Sequence, residues 1–293
     1  MNTEHANQAC QLLPPAADVP LPVLMYHSVS DAPAASTRAL SVRPAVFGAQ
    51  LAYLRRQGFT GLTFGELGQR RRTGQPFPAR PIVLTFDDGY ADLIEEALPI
   101  LIAHGFPATV FVTTGWLRDA GRYTAAMAPG RMLSWAQLAE LSAAGVEVAA
   151  HTHSHPQLDQ ISAARLLADL GDCKRLLEDR LGRPVRSLAY PYGYSSKRVR
   201  TVAREIGYLQ AAAVANAMAA ATCDPFRVPR LTIRRSTSSV AFASTVNGKR
   251  IGLHYGSARA LTAGWAVVRR SSSVLRTRPR ELAYPATNVK GAE

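Results

Sequence analysis

The chain has 293 residues, of which 47% are hydrophobic and 19% charged. That supports a full core in one large domain or two small ones and excludes a compositionally disordered chain. No window of about 20 residues is apolar and free of charge, so no transmembrane helix is expected. The N-terminal stretch MNTEHANQACQLLPPAADVP lacks the basic start and apolar run of a secretory signal, which makes the cytoplasm the expected location.

Two further features of composition narrow the class. The cysteines, Cys10, Cys173 and Cys223, share no short spacing, which argues for reduced thiols and against a disulfide framework or a cysteine zinc site. The net charge is +13 and is concentrated late, in RVPRLTIRRS and VRRSSSVLRTRPRE. Such a stretch suits a solvated basic tail, or contact with phosphates or an anionic membrane surface. It carries no nucleic-acid motif and no interleaved aromatics, so nucleic acid is not an expected partner.

Residues 1–20 read as a loose leader. Strand-like and helix-like runs then alternate. Val23 to Tyr26 is a short apolar strand. Val46 to Gln57 has helical spacing and stops at Gly58. Arg80 to Phe86 is a strand whose apolar, partly β-branched run Pro81 to Leu84 reads as buried on both faces. Glu95 to His104 is helical, with Pro99 as a kink or a new first turn. Ala108 to Val112 is a strand. Ser134 caps a helix over Trp135 to Ala144, ended by Gly145. Val146 to Ala150 is a strand, Ser162 caps a helix running to Leu181, and Ser187 to Tyr190 is a strand. Ser196 to Ile206 is a helix, and Gln210 to Val214 a last strand. Beyond about residue 236 the pattern weakens, and 236–293 reads as a basic, partly disordered extension. This alternation predicts an α/β fold with a mainly parallel sheet, open or closed. In either form, chemistry belongs at the C-terminal ends of the strands.

Three strand ends then stand out. TFDDG places Asp87 and Asp88 side by side at the edge of the core, a costly arrangement unless positive charge meets them. HTHSHP carries His151, His153 and His155 directly after a strand. Imidazoles four residues apart can share one face of a helical turn and address one ion. One carboxylate with two imidazoles is a known catalytic zinc set, and it leaves a second carboxylate free to act as general base. YPYG, residues 190–193, combines a fixed φ at Pro191 with a glycine turn that can present a backbone N–H to an oxyanion.

In this order the three stretches resemble the polysaccharide deacetylase (NodB homology) family, the family-four carbohydrate esterases. VLMYHSV and GFPATVFVTTGWL are also similar, and the likeness spans residues 21–235. It implies a distorted (β/α) barrel of fewer than eight strands. It further implies metal-dependent removal of acetyl groups from an acetylated amino sugar in a polysaccharide, oligosaccharide or glycan precursor. By motif position Asp88, His151 and His155 match the metal ligands, with zinc as the expected ion and cobalt, nickel or manganese as substitutes. Asp87 matches the catalytic base, and the Tyr192 N–H matches the oxyanion donor. Where many members carry an arginine before the third motif, this chain has Ala189. The YPYG form is similar to exopolysaccharide N-deacetylases, and a downstream arginine, Arg230, is the candidate partner of Asp87. The late Leu-x-His pattern is absent, because His254 directly follows Leu253. His27, at the end of the first strand, is therefore preferred as general acid. Removal of an O-acetyl ester, or metal-bound glycan binding without turnover, would use the same residues, although an intact Asp87 argues against the latter.

Overall fold

The computed structural model describes residues 20–220 and 222–256. Within these residues ten strands and seven α-helices follow in chain order, and a further helical run occupies 251–256. The strands are β1 (Val23–Tyr26), β2 (Ser28–Val29), β3 (Ser41–Val42), β4 (Thr60–Leu62), β5 (Pro81–Phe86), β6 (Thr109–Val112), β7 (Glu147–Ala150), β8 (Ser187–Ala189), β9 (Gln210–Ala212) and β10 (Leu231–Thr232). The helices are α1 (Pro44–Arg56), α2 (Phe64–Thr73), α3 (Leu98–His104), α4 (Trp135–Ala143), α5 (Ala163–Leu181), α6 (Lys197–Glu205) and α7 (Ser239–Val246).

The main sheet is parallel and runs β10-β1-β5-β6-β7-β8-β9, with β4 pairing β5 off this path. Its two ends meet. Val228, just before β10, bridges Ala212 of β9, while β10 itself pairs β1. The sheet is thus curled into the distorted (β/α) barrel that the alternating pattern implies. β5 is buried at all six positions, as a strand covered on both faces must be.

Local chemistry explains most boundaries. Ser134, Ser162 and Ser196 each accept a backbone N–H at a helix start, and Ser134 forms a full capping box with Gln137. Gly105 and Gly182 end α3 and α5 in the left-handed conformation. Pro99 lies in the first turn of α3, preceded by a π-type turn over Leu93–Ala97. α5 buries Leu166, Leu170, Cys173 and Leu177 on one face. Tyr26, Phe47 and Phe86 pack with centroids 5.2–5.8 Å apart, each pair adding about 0.5–1.5 kcal/mol beyond burial.

Packed structure runs past residue 235. Phe242, Val246 and Tyr255 lie in the core, and the Tyr255 hydroxyl donates to the Thr232 carbonyl at 3.0 Å. Cys173 and Cys223 are free thiols. Cys10, the leader and the basic run from 257 lie outside the described residues, and with them the expected membrane contact. No described helix is long and apolar enough to cross a membrane.

Candidate metal centre and active site

The loops after β5, β7 and β8 converge at one end of the barrel. Asp88 and His151 are buried, and His155 is half-buried. Nε2 of His151 lies 3.4 Å from Asp88 Oδ1, and Nε2 of His155 lies 3.3 Å from it. No donor reaches Asp88 Oδ1 at hydrogen-bonding geometry, although the atom is fully buried. An orphaned carboxylate oxygen in a core is costly. The three ligand atoms all lie within 4.8 Å of one another. Corners of a tetrahedron with bonds of about 2.0–2.1 Å stand about 3.3 Å apart. The donor set therefore fits a divalent cation in both chemistry and spacing.

The surrounding residues orient these ligands. His151 Nδ1 faces the Ala189 carbonyl at 2.9 Å, which fixes the proton there and leaves Nε2 as the free donor atom. Asp169 on α5 accepts from the backbone N–H groups of His153 (2.7 Å) and Ser154 (3.2 Å) and from the Ser154 hydroxyl. His153 is drawn away to Thr114 Oγ1 at 2.9 Å, so it stays outside the ligand set. The histidine loop is not the helical turn that the spacing suggested. Thr152 and His155 take φ of +72° and +54°, and Thr152 Oγ1 accepts the His155 N–H at 2.9 Å. A tight left-handed loop brings both rings to Asp88 instead. Asp88 and Tyr192 also have positive φ, +74° and +59°. Such conformations cost about 1–3 kcal/mol each and persist where surrounding structure enforces them.

Asp87 has a different partner. Arg230, fully buried, donates Nη1 to Oδ1 at 2.6 Å and Nη2 to Oδ2 at 2.7 Å, a two-point pair. Arg230 is itself held by Thr85 Oγ1 (3.1 Å) and lies over the Phe111 ring. The positive charge that the adjacent aspartates demand is thus divided: a guanidinium meets Asp87, and imidazoles face Asp88. Burial alone would raise the Asp87 carboxyl, but Arg230, His151 and His27 outweigh it and hold it below its usual range. Burial likewise opposes ionisation of Asp88, and the two facing imidazoles carry it well below. His151 is lowered by burial but raised further by Asp87 and Asp88, for a net rise.

His27 follows β1, with an Nδ1 that is buried and unpartnered. Burial pulls its imidazole down, against the upward pull of Asp88 and Asp87. It is close enough to act on the ionisation of both carboxylates. Tyr192 is half-exposed. The neighbouring Gly193 and Tyr194 amides are used on the Tyr190 and Pro191 carbonyls, while the Tyr192 N–H has no acceptor among the described residues. Gly193 is required here: a Cβ would lie 2.5 Å from Val214 Cβ and N, and φ is +75°.

Other contributors are only partly legible in the sequence, where Trp116 reads as a packing or substrate-wall residue. Trp116 stacks on His155 with centroids 4.6 Å apart. It reaches that place because Gly115 approaches the histidine loop so closely that a Cβ would sit 2.5 Å from the His153 carbonyl. Asp169 had a legible signal, since it falls on the apolar stripe of α5 between Leu166 and Cys173. The Ala189 carbonyl had none, because a backbone acceptor leaves no trace in residue identity.

Comparison with known proteins agrees with this geometry. Residues 74–211 match the polysaccharide deacetylase family model. The Bacillus subtilis protein YxkH, assigned by name to the polysaccharide deacetylases, is 24% identical over 230 residues, covering 78% of this chain and 77% of that protein. A poly-beta-1,6-N-acetyl-D-glucosamine N-deacetylase of Staphylococcus aureus is 25% identical over 202 residues, covering 66% and 68%. Among solved structures, a Streptococcus pyogenes deacetylase in complex with acetate superposes with a TM-score of 0.70 at 26% identity, over 78% of this chain and 99% of that one. Motifs, barrel and converging carboxylates and imidazoles agree with these comparisons: the chain is similar to the polysaccharide deacetylases, whose family model matches residues 74–211.

Proposed function

We propose that the protein is a metal-dependent deacetylase that hydrolyses the N-acetyl group of an acetylated amino sugar in a polysaccharide, oligosaccharide or glycan precursor. The observation that carries this reading is the pairing of an orphaned, buried Asp88 Oδ1 between two Nε2 atoms with an adjacent carboxylate held by a guanidinium. A divalent cation held by Asp88, His151 and His155, zinc in this reading, would polarise the acetyl carbonyl and activate the attacking water.

The chain's own residues do the rest. Asp87 takes the proton from the attacking water. Arg230 keeps it ionised and fixes its plane, and each carboxylate oxygen retains a lone pair beyond the one spent on the guanidinium. The uncommitted Tyr192 N–H donates to the oxyanion of the tetrahedral intermediate; one such donor contributes about 10²–10³ in rate. His27 delivers a proton to the departing amine. Burial lowers its imidazole, so the proton it delivers is the one that Asp87 takes from the water, passed on before the C–N bond breaks. Trp116 and Tyr192 flank His155 and exclude water from one side of the ligand set.

The test is acetate release from N-acetylglucosamine oligomers before chelation, after it, and after zinc is restored. Release should vanish with the metal and return with it. Asp87→Asn should lose at least ~10² in rate with metal content unchanged. Release indifferent to chelation would overturn the metal mechanism, and bound metal with no release on any acetylated glycan would favour glycan binding without turnover.

A further inference from the structure

A cavity of about 450 Å³ opens at the other end of the barrel. Its walls include Glu147, Ser187 and Gln210, the first residues of β7, β8 and β9. His151 and the YPYG loop follow the opposite ends of β7 and β8. A four-residue strand spans about 13 Å, so this cavity is separate from the catalytic end.

Its charges are unequally engaged. Glu147 is saturated: Oε2 accepts from Gly65 N–H (2.6 Å) and Thr109 Oγ1 (2.8 Å), and Oε1 accepts from Ser187 Oγ (2.7 Å). Glu66 is spent on the capping box of α2, with Oε2 accepting the Thr63 N–H at 2.7 Å. Three arginines also line the cavity: Arg72 from α2, and Arg183 and Arg186 from the segment before β8. Among the described residues none of the three has an acidic or hydrogen-bonding partner. Arg183 Nη2 is buried with no acceptor. Arg72 is lowered by burial and then by the charge of Arg186, so the two guanidinium groups are near enough to feel each other. Arg72 and Arg186 are exposed on the cavity wall and Arg183 is half-buried, so the three guanidinium groups are open to an anion from solvent.

We propose that this cavity binds a phosphate-bearing small molecule through Arg72, Arg183 and Arg186. Guanidinium forks pair two-point with carboxylates and phosphates. One carboxylate is saturated by one or two such forks, whereas a diphosphate can serve three. The volume suits a sugar phosphate or a mononucleotide. The distance from the catalytic end makes the ligand an anchor or effector rather than the molecule that is deacetylated.

The test is calorimetric titration of the full chain with pyrophosphate, and separately with inorganic phosphate, at fixed ionic strength. Pyrophosphate should bind saturably at one site per chain, more tightly than phosphate. Arg72→Gln with Arg186→Gln should weaken it at least tenfold. Arg72→Lys with Arg186→Lys, which keeps the charge and loses the fork, should fall between. Arg55→Gln with Arg56→Gln, exposed on α1 away from the cavity, should bind as the parent does. Thermal unfolding of each variant establishes that it is folded. Absence of saturable heat with pyrophosphate overturns the proposal. So does full-strength binding by the Arg72/Arg186 glutamine variant, or equal loss in the Arg55/Arg56 control.

Discussion

The two ends of the barrel each hold a buried or half-buried carboxylate at the tip of β5 or β7, and they treat it in opposite ways. At the N-terminal end, Glu147 has donors on both oxygens and ties α2, β6 and β8 together. At the C-terminal end, Asp88 has an oxygen with no donor, flanked by two imidazoles, and the backbone there is held in left-handed conformations at Asp88, Thr152, His155 and Tyr192. Burial alone therefore does not mark function. An acid whose hydrogen bonds are complete is architecture, while one left incomplete by a rigid, strained surround is prepared for something else.

Asp87 lies between these cases, because its partner Arg230 is buried in the barrel and also holds the carboxylate next to the candidate ligand Asp88. That makes Arg230 the most severe way to break the contrast. Arg230→Ala leaves the Asp87 carboxylate buried without its counter-charge and should cost about 3–5 kcal/mol of stability. Removing both partners, Arg230→Met with Asp87→Leu, should be less destabilising than Arg230→Ala alone, since no uncompensated charge remains. Urea unfolding of the single and double variants measures the coupling directly. Equal losses in both would show that the pair contributes only volume.

The candidate site was more legible from sequence than the rest of the molecule. Asp87, Asp88, His151 and His155 announce themselves because chemistry needs those side chains, and strand ends are where a parallel barrel presents them. The histidine loop was misread as a helical turn because four-residue spacing serves equally well in a left-handed loop, and φ is not written in residue type for Thr152 or His155. Arg230 was only a candidate: a buried two-point pair across 143 positions of sequence depends on β10 lying beside β1. At the other end, α2 was missed although Thr63 and Glu66 form a capping box. Its three consecutive arginines and two glycines hide the apolar face of Phe64 and Leu67. α7 was lost similarly, because its large apolar core contacts come from Phe242 and Val246, with Thr245 buried beside them, within a run of small residues.

A second prediction addresses the saturated end. Glu147→Ala deprives the Gly65 N–H, the Thr109 hydroxyl and the Ser187 hydroxyl of their acceptor. Leaving buried donors unmet should cost about 2–3 kcal/mol, seen as a lower urea midpoint at unchanged slope. Acetate release per folded molecule should stay at the parental level. A rate loss larger than the folded fraction explains would mean that the two ends are coupled and that the contrast between them is false.

The finest test uses Asp92, which belongs to neither extreme. Its carboxylate accepts from Ser28 Oγ at 2.5 Å and from the Val29 N–H at 3.1 Å, and so ties down the chain that follows His27. Burial nevertheless dominates, with Glu95 and Glu96 adding to it, and the acid is pushed up to about 6. A folded-state value above the unfolded one means that the native protein holds this proton more tightly. Its contribution to stability is therefore fullest below about pH 4 and is lost as pH rises through about 6. Asp92→Asn keeps the acceptor oxygen and removes the titration. The stability of the variant relative to the parent should climb by about 1–2 kcal/mol between pH 4 and pH 7, after allowance for the solvent that still reaches the carboxylate. Taking the difference cancels the other titrating groups, so urea unfolding at four or five pH values suffices. A flat difference would show that Asp92 is as fully satisfied as Glu147, and a falling one that its two donors outweigh burial, placing the His27 support with the architecture of the barrel rather than with its strained catalytic end.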